Sequence, residues 1–274
     1  MIRIEDLSYN FPDGTQGLKK INLEIERGEF LGIVGRNGSG KSTLVRHLNG
    51  LLKPMEGKVS INGMDTADPS NLLKIRQTVS MVFQNPYTQF VGTTLEEDVA
   101  FGPENLALPP KEIQERVDRA LEVVGLDNFK NYSPKTLSGG QSQCAAIASA
   151  LAMKSECIVF DEITSMLDSK SREQIREIIQ KLRGEARTIV YVTHRLEEIL
   201  YADRIIVMDR GEIVREGKPK TVFKDPDTEK FGLEIPPVVE LLNSLESRGF
   251  SFDWARLYSI ENLAEEIWES RWKI

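Results

Sequence analysis

Gly35-Arg36-Asn37-Gly38-Ser39-Gly40-Lys41-Ser42-Thr43 carries more chemistry than any other stretch of the chain. Its three glycines permit a tight turn with backbone N–H groups facing inward, a nest for anionic oxygen. The apolar run Phe30-Leu31-Gly32-Ile33-Val34 precedes it with strand character, and Leu44-Val45-Arg46-His47-Leu48 continues it as a helix. A helix N-terminus adds free N–H groups and a positive dipole end, so strand, glycine turn and helix make a phosphate cradle. In that setting Lys41 is expected to reach the β- and γ-phosphates of a nucleoside triphosphate, and Ser42 to ligate Mg²⁺. Gly35, Asn37, Gly38, Ser39, Gly40 and Thr43 complete the loop.

Two further runs extend this chemistry. Glu156-Cys157-Ile158-Val159-Phe160-Asp161-Glu162 is an apolar strand delivering two adjacent carboxylates at its C-terminal end, where open α/β sheets place their ligands. Asp161 is expected to hold Mg²⁺, directly or through water. Glu162 is expected to polarise an attacking water as general base, a contribution of about 10²–10⁴-fold. Leu137-Ser138-Gly139-Gly140-Gln141 precedes a helix rich in small residues, including Ala145, Ala146, Ala148, Ser149 and Ala150. It offers a second helix N-terminus with a hydroxyl and free N–H groups, suited to gripping phosphate. Singly, each run is an ordinary turn; their order along one chain points to nucleotide chemistry.

The elements that must position these residues are legible as well. Phe30–Val34, Val79–Phe83, Cys157–Phe160, Thr188–Val192 and Ile205–Met208 are continuous apolar runs, as expected of strands covered on both faces. With helical patterns between them they predict a doubly wound α/β core of mainly parallel strands. Ile2–Leu7, Ile21–Ile25 and Lys58–Ile61 alternate more and predict a small antiparallel sheet beside it. Residues from about 85 to 150 form a helical insertion. Within it, Pro109-Pro110 opens an amphipathic helix carrying Ile113, Val117, Ala120, Leu121 and Val124, and Gly125 ends it. In the last fifty or so residues, Val238, Leu241, Leu242 and Leu245 keep helical spacing after Pro236-Pro237. A final helix is expected from near Ser259, with Ile260, Leu263, Ala264, Ile267, Trp268 and Trp272 on one face. All three tryptophans (Trp254, Trp268, Trp272) lie in this tail. Spacing alone leaves two readings open, a small core packed on the same chain or a surface for a partner.

Composition narrows the partners. The chain has 274 residues and a formal charge of −7, which argues against nucleic acid as the main ligand. No apolar run approaches a bilayer-spanning length, and the charged start at Met1-Ile2-Arg3-Ile4-Glu5-Asp6 is unlike a secretory signal. A soluble chain that reaches any membrane through a partner is expected. The two cysteines, Cys144 and Cys157, offer neither a disulfide framework nor metal-ligand spacing, which fits reduced thiols.

At this point the chain resembles the ATP-binding-cassette (ABC) ATPases over residues 1 to about 222. Gly35–Thr43 resembles the Walker A loop, Leu137–Gln141 the LSGGQ signature, and the strand ending at Asp161-Glu162 the Walker B strand, in the family's order. The resemblance assigns roles to smaller motifs. Gln84 matches the Q-loop glutamine, which contacts Mg²⁺ and couples to a membrane subunit. Asp168, in Ser165-Met166-Leu167-Asp168, matches the D-loop, and His194 after Thr193 the switch histidine. Phe11 sits where family members stack an aromatic on adenine, with Tyr9 as the alternative. The implied ligands are ATP and Mg²⁺. ATP is held between the Walker A loop of one cassette and Ser138, Gly139, Gly140 and Gln141 of a second.

A narrower resemblance is to the energy-coupling-factor (ECF) transporter ATPases. It rests on Phe83-Gln84-Asn85-Pro86-Tyr87-Thr88-Gln89-Phe90-Val91-Gly92-Thr93-Thr94, Glu97-Asp98-Val99-Ala100-Phe101-Gly102, Thr164–Asp168 and Gly232-Leu233-Glu234-Ile235-Pro236-Pro237-Val238. It implies an α/β P-loop cassette over 1–222, with antiparallel and helical subdomains. A C-terminal helical extension over 223–274 would help pair two cassettes, identical or not, this one more like the first of the two paralogues. It further implies a place on the cytoplasmic face of the membrane, driving an integral T-component joined to an S-component that takes up a vitamin or a transition-metal ion. One departure stands out: Cys144 occupies the usual arginine position after the signature, and a small buried thiol is expected there. Two other classes compete, a soluble ABC ATPase not tied to transport and a catalytically silent nucleotide binder. The acidic charge and single cassette count against the first, and intact Glu162 and His194 against the second.

Overall fold

The computed structural model describes residues 1–256 and 260–270. Among these residues there are ten strands: β1 (Ile2–Asn10), β2 (Gln16–Ile25), β3 (Phe30–Gly35), β4 (Glu56–Ile61), β5 (Met64–Asp65), β6 (Val79–Val82), β7 (Cys157–Asp161), β8 (Thr188–Val192), β9 (Arg204–Asp209) and β10 (Glu212–Gly217). The α-helices are α1 (Lys41–His47), α2 (Leu72–Thr78), α3 (Leu95–Asn105), α4 (Pro110–Val124), α5 (Gly139–Ala152), α6 (Ser169–Gly184), α7 (Pro219–Lys224), α8 (Pro237–Ser247) and α9 (Ile260–Ser270). Trp272 lies outside the described residues.

The five continuous apolar runs pair as expected. With β10 added at one edge they form a six-stranded sheet of order β10-β9-β3-β8-β7-β6, parallel throughout except for the antiparallel edge pair β9–β10. Neighbouring residues on one strand enter different cores. Phe30, Ile158 and Ile189 join the cluster beneath α3 to α6, whereas Leu31, Val159 and Val190 join the cluster beneath α1, α2 and the second sheet. A strand covered on both faces cannot alternate apolar with polar, which is why these segments read as unbroken hydrophobic runs. The second sheet is antiparallel, of order β2-β1-β4-β5. A bond from Lys19 N to Gly211 O (2.8 Å) ties it to the edge of the first.

The expected insertion is helical. Thr94 caps α3 in a reciprocal box with Glu97, and Gly125 ends α4 in the left-handed conformation. Cys144 is buried in α5 and burial pushes its thiol up to about 12, so it behaves as a small apolar group. The tail resolves the two readings of its tryptophans unequally. Val239, Leu242, Phe252 and Trp254 are buried in the same cluster as Phe160, and Trp254 Nε1 donates to Glu246 (3.3 Å). Trp268 on α9 is 61% exposed. Among the described residues, no helix is long and apolar enough to cross a membrane.

Candidate nucleotide site

The C-terminal ends of β3, β7 and β8 converge, and the sequence-predicted residues gather there. β3 runs into the phosphate loop at Gly35, whose φ of +149° and setting admit only glycine. A Cβ there would lie 2.2 Å from Met208 O and 2.7 Å from Ser39 Oγ. The chain then turns through Arg36–Gly40 and enters α1 at Lys41. Lys41 is almost wholly buried. Its ammonium donates to Gly35 O (2.9 Å) and Arg36 O (3.1 Å) and lies 3.5 Å from Glu162 Oε1. Ser39 Oγ is buried without a hydrogen-bond partner, so the loop retains an unspent donor.

β7 brings the two carboxylates to the same place. Asp161 Oδ1 accepts from Ser42 Oγ (2.9 Å), and burial raises the Asp161 pKa against the pull of that bond. Glu162 adopts φ +53°, a left-handed conformation that costs a non-glycine residue about 1–3 kcal/mol and persists only when its surroundings enforce it. The enforcement is visible: Glu162 N donates to Val192 O (3.0 Å), and Glu162 O accepts from Ser165 Oγ (2.9 Å). The turn after β8 carries His194, whose Nδ1 is 3.9 Å from Glu162 Oε2. Gln84, just beyond β6, donates from Nε2 to Ser165 Oγ (3.1 Å) and so touches the Glu162 turn through that hydroxyl.

Phe11 is partly exposed and stands edge-on to Tyr9 (ring centroids 5.3 Å). Tyr9 stands edge-on in turn to His47 of α1 (5.1 Å). An aromatic ladder therefore leads from the phosphate-loop helix to Phe11. Other expected site residues are not brought in. Ser138 is the N-cap of α5, accepting from Gln141 N (3.3 Å) while the Gln141 side chain accepts from Ser138 N (2.9 Å). Asp168 caps α6 through Ser171 N (3.0 Å) and Ser171 Oγ (2.9 Å), bonds that lower its pKa. Among the described residues these bonds stay at the starts of α5 and α6, where a Cβ on Gly140 would meet Ser171 Oγ at 2.3 Å, and do not reach the phosphate loop. One chain thus assembles a lysine, two carboxylates, a hydroxyl and a histidine, and displays its second phosphate grip elsewhere.

Sequence reasoning missed the residues behind this site. Ser165 was legible only as part of a motif, not as the bridge between Gln84 and Glu162. Glu198, whose Oε2 accepts from Thr164, Thr193 and Tyr191, gave no signal at all. A carboxylate in Leu196-Glu197-Glu198-Ile199 has no periodic mark to separate an inward from an outward position.

A glycine-cradled strand-to-helix turn beside a two-carboxylate strand end, on a parallel sheet, defines a P-loop nucleotide-hydrolysing cassette. Residues 18–165 match the profile of the ABC transporter family. The chain is 55% identical over 267 residues to the energy-coupling factor transporter ATP-binding protein EcfA of Methanosarcina acetivorans, covering 97% of each. It is 47% identical over 273 residues to EcfA1 of Caldanaerobacter subterraneus subsp. tengcongensis, covering 97% of this chain and 98% of that one. Among solved structures it is similar to cbiO1 of Clostridium perfringens, described as part of the ABC transporter complex cbiONQ. The TM-score is 0.75 at 35% identity, over 88% of this chain and 98% of that one. It is likewise similar to the dimeric cassette MJ0796 in a post-hydrolysis state bound to ADP and Pi, with TM-score 0.72 and 35% identity over 80% and 99% of the two chains. The chain therefore belongs to the ABC transporter family and, within it, to the energy-coupling-factor ATP-binding proteins. It is an ATPase subunit of an importer of that type.

Proposed function

We propose that Lys41, Ser42, Asp161, Glu162 and His194 form the hydrolytic half of an ATP site. A second cassette completes it with its own Ser138–Gln141 run. The observation that carries this is the convergence itself: Lys41 and His194 both lie within 4 Å of Glu162, and Ser42 is hydrogen-bonded to Asp161. The inward N–H groups of Gly35–Thr43 bind the phosphates. Lys41, held by two backbone carbonyls, supplies a fixed positive charge that cannot swing away. Ser42 and Asp161 present hard oxygen donors, and burial raises the Asp161 pKa even against the nearby charges of Arg46 and Lys41, so the pair fits Mg²⁺. Held by Ser42 and Asp161, the ion would neutralise phosphate charge as the bond breaks. Gln84 approaches the same region through Ser165 and is placed to report on it. Glu162 takes a proton from the attacking water, and His194 holds the γ-phosphate side of the pocket. Phe11 stacks on the base, with Tyr9 and His47 behind it.

Closure joins two chains through a γ-phosphate gripped from both sides, and hydrolysis removes the link. Asp168 stands at the facing surface beside the signature run. The extension over 223–274 adds to that pairing with exposed Trp268 and Leu241. Movement passes to an integral T-component, which works with an S-component on the membrane. Its docking surface is the groove of about 380 Å³ beside Gln89, lined by Leu51, Phe83, Phe90, Val91 and Phe101. On this reading the chain works at the cytoplasmic face of the membrane, drawn there by its partners.

The test is Glu162→Gln in the chain purified with its paired cassette. MgATP binding and ATP-dependent pairing are expected to persist, while turnover falls by about 10²–10⁴-fold. Hydrolysis near the wild-type rate would overturn the assignment of Glu162 as base. Purification from membranes checks the proposed partners: co-elution of an integral subunit is expected, and its absence removes the proposed T-component docking while leaving the ATPase intact.

A further inference from the structure

Behind the proposed site lies a carboxylate that the hydrolytic reading does not use. Glu198 sits in the turn after β8 and points inward. Its Oε2 accepts hydrogen bonds from Thr193 Oγ1 (2.8 Å), Thr164 Oγ1 (3.0 Å) and Tyr191 Oη (3.2 Å). All three donors are neutral hydroxyls. Burial accordingly raises the Glu198 pKa, and the bonds from Thr164 and Thr193 only partly oppose that. A carboxylate so placed is poor value as a stabilising pair, because a buried charge is best compensated by an opposite one. Its geometry has a different consequence.

The donors belong to the two turns that carry the proposed chemistry. Thr193 immediately precedes His194. Its hydroxyl donates to Glu198 and accepts from Arg195 N (2.9 Å), so both neighbours of His194 are clasped and the imidazole projects from the crest between them. Thr164 lies two residues after Glu162 and one before Ser165, the residue that bonds Glu162 O and receives Gln84. One carboxylate oxygen therefore bridges the Glu162 turn and the His194 turn from behind, while Glu162 and His194 face each other in front at 3.9 Å. The backbone bond from Glu162 N to Val192 O sets the strand register, but it leaves the turns beyond it free to separate.

We propose that Glu198 is a positioning residue that fixes the separation of Glu162 and His194 by clasping the two turns that bear them. The proposal rests on the roles assigned above to those two residues. It also makes Glu198 the joint through which the Thr164–Asp168 run and the His194 turn move together.

The experiment is steady-state hydrolysis by the chain purified with its paired cassette, with kcat and KM for MgATP measured separately. Glu198→Ala is expected to lower kcat by about 10–100-fold while KM stays within about threefold, as for a group that holds geometry rather than nucleotide. Glu198→Gln keeps an acceptor oxygen of the same reach and is expected to restore the rate to within about fivefold of wild type. In a His194→Ala background, Glu198→Ala is expected to add less than about threefold, since its effect passes largely through His194. A kcat for Glu198→Ala within about twofold of wild type overturns the proposal. So does a loss that appears in KM alone or multiplies in full with that of His194→Ala. Should Glu198→Ala fail to fold, Thr164→Val and Thr193→Val each remove one donor, and wild-type kcat in both overturns the clasp. Glu162→Gln run alongside separates the failures. If it is inactive while Glu198→Ala is fully active, only the clasp is wrong. If Glu162→Gln retains the wild-type rate, the reading of the site falls and the clasp with it.

Discussion

Lys41 and His47 stand at opposite ends of α1 and show how burial treats two basic side chains differently. Lys41 keeps company with two carbonyls and Glu162, whereas His47 is fully buried against Tyr9 with no carboxylate partner. His47 Nδ1 lies 2.7 Å from Thr43 O, so that nitrogen must carry the proton, and Nε2 is buried with no partner. Protonating Nε2 would place a charge in the core, and burial lowers the pKa from its ordinary value near 6.5 against the opposing pull of the Thr43 and Lys53 backbone. The sign follows from linkage. The folded state resists a proton that the unfolded chain takes up readily, so the native imidazole's advantage is complete above pH 6.5 and is lost as the pH falls toward the depressed value. Each unit of separation is worth about 1.4 kcal/mol. Denaturant unfolding between pH 7 and 5 is expected to show a decline in stability that His47→Phe flattens. Equal slopes in the two proteins would place the acid sensitivity elsewhere. None of this is marked in the sequence, because His47 is one residue of an ordinary helical run and its fate depends on Tyr9 from a strand far away in the chain.

The elements differ in how much of them can be seen beforehand, and the difference is physical. The central strands are buried on both faces, so their residues have no solvent side to satisfy and appear as unbroken apolar runs. β10, Glu212–Gly217, is an edge strand with polar and glycine ends, and it carried no comparable signal. β2 begins at Gln16, five residues before the apolar run suggests, because its first half pairs with β1 across register shifts. The start of α5 shows the opposite case, where one short run has two tasks. Ser138 was legible as a phosphate grip, but within one chain its hydroxyl is the helix cap. The two tasks separate by substitution. Ser138→Ala removes the cap and is expected to lower stability by about 0.5–2 kcal/mol in thermal or denaturant unfolding. Ser138→Asp retains a capping acceptor and is expected to melt near wild type, yet its charge opposes a second chain's γ-phosphate and abolishes ATP-dependent pairing. Pairing by Ser138→Asp at wild-type MgATP concentrations, measured by light scattering, would show that the run does not face phosphate.

At the scale of the whole molecule, the tail and the cassette share one core. Val239, Leu242, Phe252 and Trp254 pack in the cluster that also holds Phe160 of β7. Glu246 of α8 accepts from Trp254 Nε1 and pairs with Lys220 (2.7 Å) and with Lys224 of α7. The sequence marked the tail off by its prolines and tryptophans, but hydrophobic spacing alone is blind to which surface an apolar face meets. The two tryptophans among the described residues therefore divide by environment. Trp254 is 7% exposed and Trp268 is 61% exposed, so their substitutions should act on different equilibria. Trp254→Ala leaves a cavity in the shared core and removes one of the two donors that Glu246 Oε1 shares with Lys220, and is expected to cost about 3–5 kcal/mol in unfolding of the single chain. Trp268→Ala removes mostly solvated surface. It should cost well under about 1 kcal/mol in that measurement while weakening ATP-dependent pairing with the second cassette, as for an exposed aromatic anchor. Unfolding and pairing assays on both variants therefore give crossed results. A Trp254→Ala chain that melts like wild type would mean that the extension is not part of the cassette's core. A Trp268→Ala chain that pairs normally would move the interface off α9.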